Sequence, residues 1–194
     1  MTTNIILAGV GGQGILTIAA IIDTAALKNN LFVKQAEVHG MSQRGGAVQS
    51  HVRISDKEIF SDLIPEGKAD LILSVEPMES LRYLPFLKKD GWLITDSSPF
   101  INITDYPEKE ALYKKINAIP NTILANATDI AKELGNSKAA NIVLLGIASK
   151  LLSLSEESIL DAITTLFSRK GQRVVDKNIE AFFKGKEIAA EVAT

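Results

Sequence analysis

The chain opens on two apolar runs divided by glycines. Asn4-Ile5-Ile6-Leu7-Ala8 is followed by Gly9-Val10-Gly11-Gly12-Gln13-Gly14, and then by Ile15-Leu16-Thr17-Ile18-Ala19-Ala20-Ile21-Ile22. A short apolar run before a glycine turn and a longer one after it predict a buried strand over residues 5–9. A helix buried on most sides follows, from residue 12 to about 29, closed by Asn29-Asn30. Residues 31–38 read as a second strand, and His39 to Gly46 as a polar, glycine-rich loop. Residues 47–54 alternate, with Val48, Ser50, Val52 and Ile54 on one face and Gln49, His51 and Arg53 on the other. Ile59-Phe60-Ser61 reads as a short strand. Further along, strands are predicted over 70–75, 92–95 and 122–125. Helices are predicted from Glu76-Pro77 to about Lys88, over 107–117, and over 128–134, the last ended by Gly135. Lys89-Asp90-Gly91 reads as a turn. From Ala139 to Leu152 the pattern is helical and too apolar for a surface. Ser155-Glu156-Glu157 starts another helix with Ile159, Ile163 and Leu166 on one face, and Val175, Ile179 and Phe182 mark a last amphipathic stripe.

Strands alternating with helices predict an α/β fold: an open, mainly parallel, Rossmann-like three-layer sheet with a helical C-terminal part. Between residues 31 and 60 no helix separates the strands, so antiparallel pairing is expected there. No repeat or linker interrupts the chain, and 1–194 is expected to be one domain.

Composition narrows the function. Of 194 residues, 46% are hydrophobic, enough for one well-packed core. Lys+Arg total 21 against 23 for Asp+Glu, so a basic nucleic-acid binder is not expected. There is no cysteine, which excludes disulfides, cysteine nucleophiles and cysteine-held iron–sulfur clusters within these residues. The apolar N-terminus lacks the positive start of a signal peptide, and its glycines interrupt any spanning helix; a cytoplasmic protein away from membranes is expected.

Gly9 to Gly14 fits G-x-G-x-x-G between a predicted strand and helix. Glycine lets backbone approach a ligand, and free amides at a helix start attract anions, phosphate above all. A tight packing turn is the plainer alternative. An NAD enzyme would want an acid after the second strand, where Glu37 lies somewhat late. In the second string Arg44, between Gln43 and Gly45-Gly46, could clamp phosphate or carboxylate, with Ser42 and Gln43 adding neutral donors. His39 reads as a hydrogen-bonded structural histidine before a catalytic base, and no spacing supports a metal site. His51 and Arg53 suit solvent or a partner chain. Glu76 and Glu79 suit a helix start, Trp92 a core anchor, and Arg169, Lys170, Arg173, Lys184 and Lys186 a solvated helix face among glutamates.

Gly9–Gly14, the string Glu37-Val38-His39-Gly40-Met41-Ser42-Gln43-Arg44-Gly45-Gly46, His51-Val52-Arg53, Ala69-Asp70-Leu71-Ile72-Leu73 with Glu76-Pro77, and Ser137-Lys138-Ala139-Ala140-Asn141-Ile142 together resemble one family. It is the gamma-type subunit of 2-oxoacid:ferredoxin oxidoreductases, which includes the beta subunit of the indolepyruvate enzymes. The resemblance implies oxidative decarboxylation of 2-oxoacids, aryl pyruvates among them, to acyl-CoA with reduction of ferredoxin. It implies that this subunit contributes assembly and a coenzyme A site. By position Gly11, Gly12, Gln13 and Gly14 would face the CoA phosphates and Arg44 would reach them, with Ser42 and Gln43 beside it. Thiamine diphosphate, Mg and the iron–sulfur clusters would belong to a large partner chain, since this one carries neither cysteine nor a Gly-Asp-Gly … Asn-Asn signature. The chain is expected to hold no cofactor, and to be inactive, by itself; a homodimer in isolation is left open. A stand-alone NAD(P)-binding enzyme and a non-catalytic CoA- or nucleotide-binding module are the alternatives.

Overall fold

Ile5, Ile6, Leu7 and Ala8 are all fully buried, as a strand covered on both faces requires. They lie in β1 (Thr2–Val10), at the centre of a six-stranded sheet. The others are β2 (Phe32–His39), β3 (Ala47–Ser55), β4 (Ala69–Ser74), β5 (Leu87–Asp96) and β6 (Thr122–Ala125), in the order β2-β3-β1-β4-β5-β6. The computed structural model describes residues 1–39 and 45–192. β1, β4, β5 and β6 pair in parallel, while β3 runs antiparallel to both β1 and β2. The expected α/β fold is therefore present, with antiparallel pairing confined to the segment that lacks helices.

Helices cover both faces unequally. One face carries α1 (Ile15–Lys28), α4 (Ala127–Glu133), α5 (Ala140–Ala148), α6 (Glu156–Phe167) and α7 (Gln172–Val192), which contribute to one large apolar core. The other carries α2 (Pro77–Arg82) and α3 (Lys109–Asn117) over a smaller core around Ile6, Ile72 and Leu93. In α1, Ile15, Ile18, Ala19, Ile22, Ala25 and Ala26 recur at helical spacing and are buried. Its end is closed as the sequence suggests: Asn29 Nδ2 donates to Ala25 O at 2.7 Å, and Asn30 turns left-handed at φ 57°. Ser155 caps α6 by accepting from Ser158 N at 3.2 Å. Among the described residues no helix is long and apolar enough to cross a membrane.

Several expectations are corrected. α1 begins at Ile15 and not at residue 12, because Gly12 and Gly14 have φ of 101° and 81°, outside helical geometry. α2 stops at Arg82; Pro85 sits in a single 3-10 turn (Leu84–Phe86), and Lys88 already belongs to β5. The 89–91 turn is a register shift inside the β4–β5 ladder, held where Lys88 meets Asp70 at 2.7 Å. Residues 59–61 form no strand. α3 begins at Lys109, two residues after the expected Pro107. On α6, Leu166 is exposed, and Ala162 and Phe167 complete the buried stripe.

Candidate functional site

The loop after β1 is shaped by its own side chains. Gln13 folds back: its Oε1 accepts from Val10 N at 2.8 Å and its Nε2 donates to Val75 O at 3.2 Å. It thus ties the end of β1 to the chain leaving β4. A Cβ on Gly12 would meet nothing within 4 Å, so only its backbone angle calls for glycine. A Cβ on Gly14 would fall 2.5 Å from Asn141 Nδ2, so angle and close approach both require glycine there. The amides of Thr17 and Ile18 close on Gly14 O, and those of Ile15 and Leu16 have no carbonyl one turn back within the helix, which leaves its N-terminus able to receive an anion.

That N-terminus opens on a cavity of about 740 Å³ at the carboxyl ends of the parallel strands. Gly12, Gln13, Gly14 and Thr17 form one wall, and Asp96 and Thr128 lie at its sheet side. Asn141, only 5% exposed, reaches in from α5. Its Nδ2 donates to Gly14 O at 3.0 Å, and its Oδ1 is buried with no partner. An unsatisfied buried acceptor costs about 1–3 kcal/mol, so it marks a place where a ligand donor is wanted. Asp96 is 1% exposed; burial raises its carboxyl pKa, while bonds from the Thr128 hydroxyl and from the amides of Ser98 and Thr128 pull it down. Its oxygens are engaged within the fold, so it shapes the site more than it carries free charge there.

Gly11 N donates to Gly46 O at 2.9 Å, which sets the glycine loop against the end of the second string. Ser42, Gln43 and Arg44 lie outside the described residues, and so does the side chain of His39 at the end of β2. Glu37 is on β2, and β3 intervenes between β2 and β1. Two strand spacings, about 10 Å, therefore separate Glu37's strand from the glycine loop's, where a dinucleotide fold has one. This removes the geometric basis of the NAD alternative.

The histidine and arginine of β3 are not a solvent face. His51 is 3% exposed, accepts from Ile64 N through Nδ1 at 3.0 Å, and meets the Phe86 ring edge-on. Burial lowers its pKa, opposed by Asp62, so it is a neutral pin for the loop that covers it. Arg53 donates to Asn4 Oδ1 at 2.9 Å and to Ser61 O at 2.7 Å. Glu76 is the residue most underread from the sequence. It is fully buried, caps α2 by accepting from Glu79 N at 2.7 Å, and also accepts from the Tyr106 hydroxyl and from Phe100 N. Burial raises its pKa against these bonds. It fastens residues 97–106 over the strand ends, where Asn102 reaches Gly45 O. Lys170, assigned above to a solvated face, lines the cavity together with Lys138.

Comparison with known proteins decides the family. The sequence model of pyruvate ferredoxin/flavodoxin oxidoreductase matches residues 4–188. The chain belongs to this family. It is 39% identical to indolepyruvate oxidoreductase subunit IorB of Thermococcus kodakarensis, over 97% of this chain and 96% of that one. The crystal structure of a keto/oxoacid ferredoxin oxidoreductase gamma subunit from Geobacter sulfurreducens superposes with a TM-score of 0.70 at 29% identity, covering 97% of this chain and 99% of that one. A 2-oxoglutarate:ferredoxin oxidoreductase from Magnetococcus marinus, solved with 2-oxoglutarate, coenzyme A and succinyl-CoA bound, shares the fold at a TM-score of 0.79 and 23% identity. This chain matches 98% of itself to that structure but spans only 31% of the longer chain. As a member of the family, the chain is similar to subunits of oxidoreductases acting on 2-oxoacids.

Proposed function

We propose that this chain is the non-cluster subunit of an indolepyruvate-type 2-oxoacid:ferredoxin oxidoreductase, and that its glycine loop holds the phosphates of coenzyme A. The observation that carries this is the cavity in which the N-terminus of α1, the open backbone at Gly12 and the unpartnered Oδ1 of Asn141 meet. Such a site asks for an anion and a hydrogen-bond donor on one ligand, and the phosphate–ribose half of CoA supplies both. The near-full-length likeness to IorB supports the indolepyruvate assignment. The CoA bound in the Magnetococcus marinus enzyme supports the ligand.

When bound, CoA supplies the thiol that takes up the acyl group. The residues of this chain would hold its other end: the backbone of Gly12 and Gly14 would face the phosphates, while the amides of Gly11 and Gln13 are spent on Gly46 O and Val10 O and shape the loop; Arg44 would supply the cation, and Ser42 and Gln43 neutral donors. Decarboxylation and electron transfer to ferredoxin belong to a large partner chain with thiamine diphosphate, Mg and iron–sulfur clusters, because a chain without cysteine cannot ligate a cysteine-held cluster.

Co-expression with the large chain tests the assignment. Ferredoxin reduction that depends on 2-oxoacid should be lost without this chain; an equal rate in its absence refutes the role. In the assembled enzyme Arg44→Ala should raise the KM for CoA about 10- to 100-fold, as loss of a charge-assisted contact of about 1.5–3 kcal/mol predicts. The KM for the 2-oxoacid should stay the same.

A further inference from the structure

Part of the cavity lining comes from the helical C-terminal part of the chain. Lys138 stands just before α5, and Lys170 ends the 3-10 turn Ser168–Lys170 between α6 and α7; both line the cavity. Neither enters an ion pair among the described residues. The lysines farther along α7 do: Lys177 pairs with Glu180 at 2.7 Å, Lys184 with Glu187 at 2.7 Å, and Lys186 with Glu156. The ammonium of Lys170 lies 5.4 Å from the centre of the Phe167 ring, and Phe167 and Val174 give the same lining an apolar surface. Asp96 is the acid of the lining, and its oxygens already accept from Thr128 and Ser98. Asn141, buried in the same lining with an unpartnered oxygen, calls for a donor such as a ribose hydroxyl.

We infer that Lys138 and Lys170 form a second anion subsite, so that the cavity selects nucleotides carrying a separate ribose monophosphate as well as a pyrophosphate. This rests on the CoA reading and specifies which part of CoA is read: the 3′-phosphate, at the two lysines, with the pyrophosphate at α1. Two cations on flexible stems suit a terminal dianion, and the α1 amides suit the less charged bridge.

Calorimetric titration of the assembled oxidoreductase, without 2-oxoacid, with CoA and with dephospho-CoA tests this. CoA should bind at least about tenfold more tightly, the difference that one charge-assisted contact supplies. In the Lys138→Gln/Lys170→Gln double variant the preference should collapse towards one, and Lys138→Arg/Lys170→Arg should retain it. Both positions are exposed, so the melting temperature should hold and serve as the folding control. Equal binding of the two ligands by the wild type, or a preference that survives the double substitution, overturns the second subsite while leaving CoA binding intact. Binding of neither ligand, or tight binding of NADP in their place, refutes the CoA reading and the inference with it.

Discussion

Two sets of glycines do opposite work in this molecule. Where α5 crosses α7, Gly146 and Gly185 bring two backbones together. A Cβ on Gly146 would collide with the Phe182 carbonyl oxygen and fall 3.1 Å from Gly185 Cα; one on Gly185 would collide with the Val143 carbonyl and lie 3.0 Å from Ile147 N. Neither has a positive φ. At the head of α1, Gly12 has a positive φ and empty space around it. The first set is glycine because something is already there. The second leaves open the space proposed for the ligand. Gly14 stands between the two cases, strained in angle and in contact with Asn141.

The contrast breaks if either set behaves like the other. Gly146→Ala should have the largest effect. Alanine would add about 1 kcal/mol of helix propensity, but the helices must part to admit the methyl group, at about 3 kcal/mol or more. The net cost of about 2 kcal/mol or more should lower the melting temperature by at least about 4–8 °C, and no loss at all would mean the crossing is loose. Gly14→Ala should cost about 2 kcal/mol from its backbone angle and the push on Asn141, and should weaken CoA binding as well. Asp23, within α1, sharpens the comparison from the packed side. Burial raises its pKa to about 6, and its Oδ1 has no partner. The folded state therefore binds this proton more tightly than the unfolded chain. The resulting penalty is absent below about pH 4, grows as the pH rises to about 6, and is constant above. Asp23→Asn should raise stability by about 1–2 kcal/mol at pH 7.5 and leave it unchanged at pH 4, as measured by urea denaturation at both values.

What could be read from the sequence follows the same division between local and distant causes. The strand–glycine–helix opening, the close of α1 at Asn29-Asn30 and the Ser155 cap depend on neighbours in the chain, and all appear, with α1 starting three residues later than expected. The antiparallel pairing of β3 followed from the absence of helices around it. The failures have distant causes. Lys89-Asp90-Gly91 has the composition of a turn, yet Gly91 stays in β5, where a Cβ would lie 3.0 Å from Ala69 O on the adjacent strand. His51 and Arg53 alternate onto a polar face, yet the segment around Ser61–Ile64 folds back over them. Lys170 sits among lysines and glutamates, and only the packing of α6 against α7 shows which cations lack a glutamate. The other lysine of the cavity, Lys138, lies in Ser137-Lys138-Ala139-Ala140-Asn141, a string that resembles the family.

The space at Gly12 is the proposed seat of a CoA phosphate. The direct measurement is the pair of KM values, for CoA and for 2-oxoacid, of the assembled oxidoreductase carrying Gly12→Val. Valine costs about 1–2 kcal/mol in backbone strain, so the subunit should still fold. The predicted result is a KM for CoA raised at least tenfold with the KM for 2-oxoacid unchanged. A folded, assembled variant with both values at the wild-type level would contradict the claim.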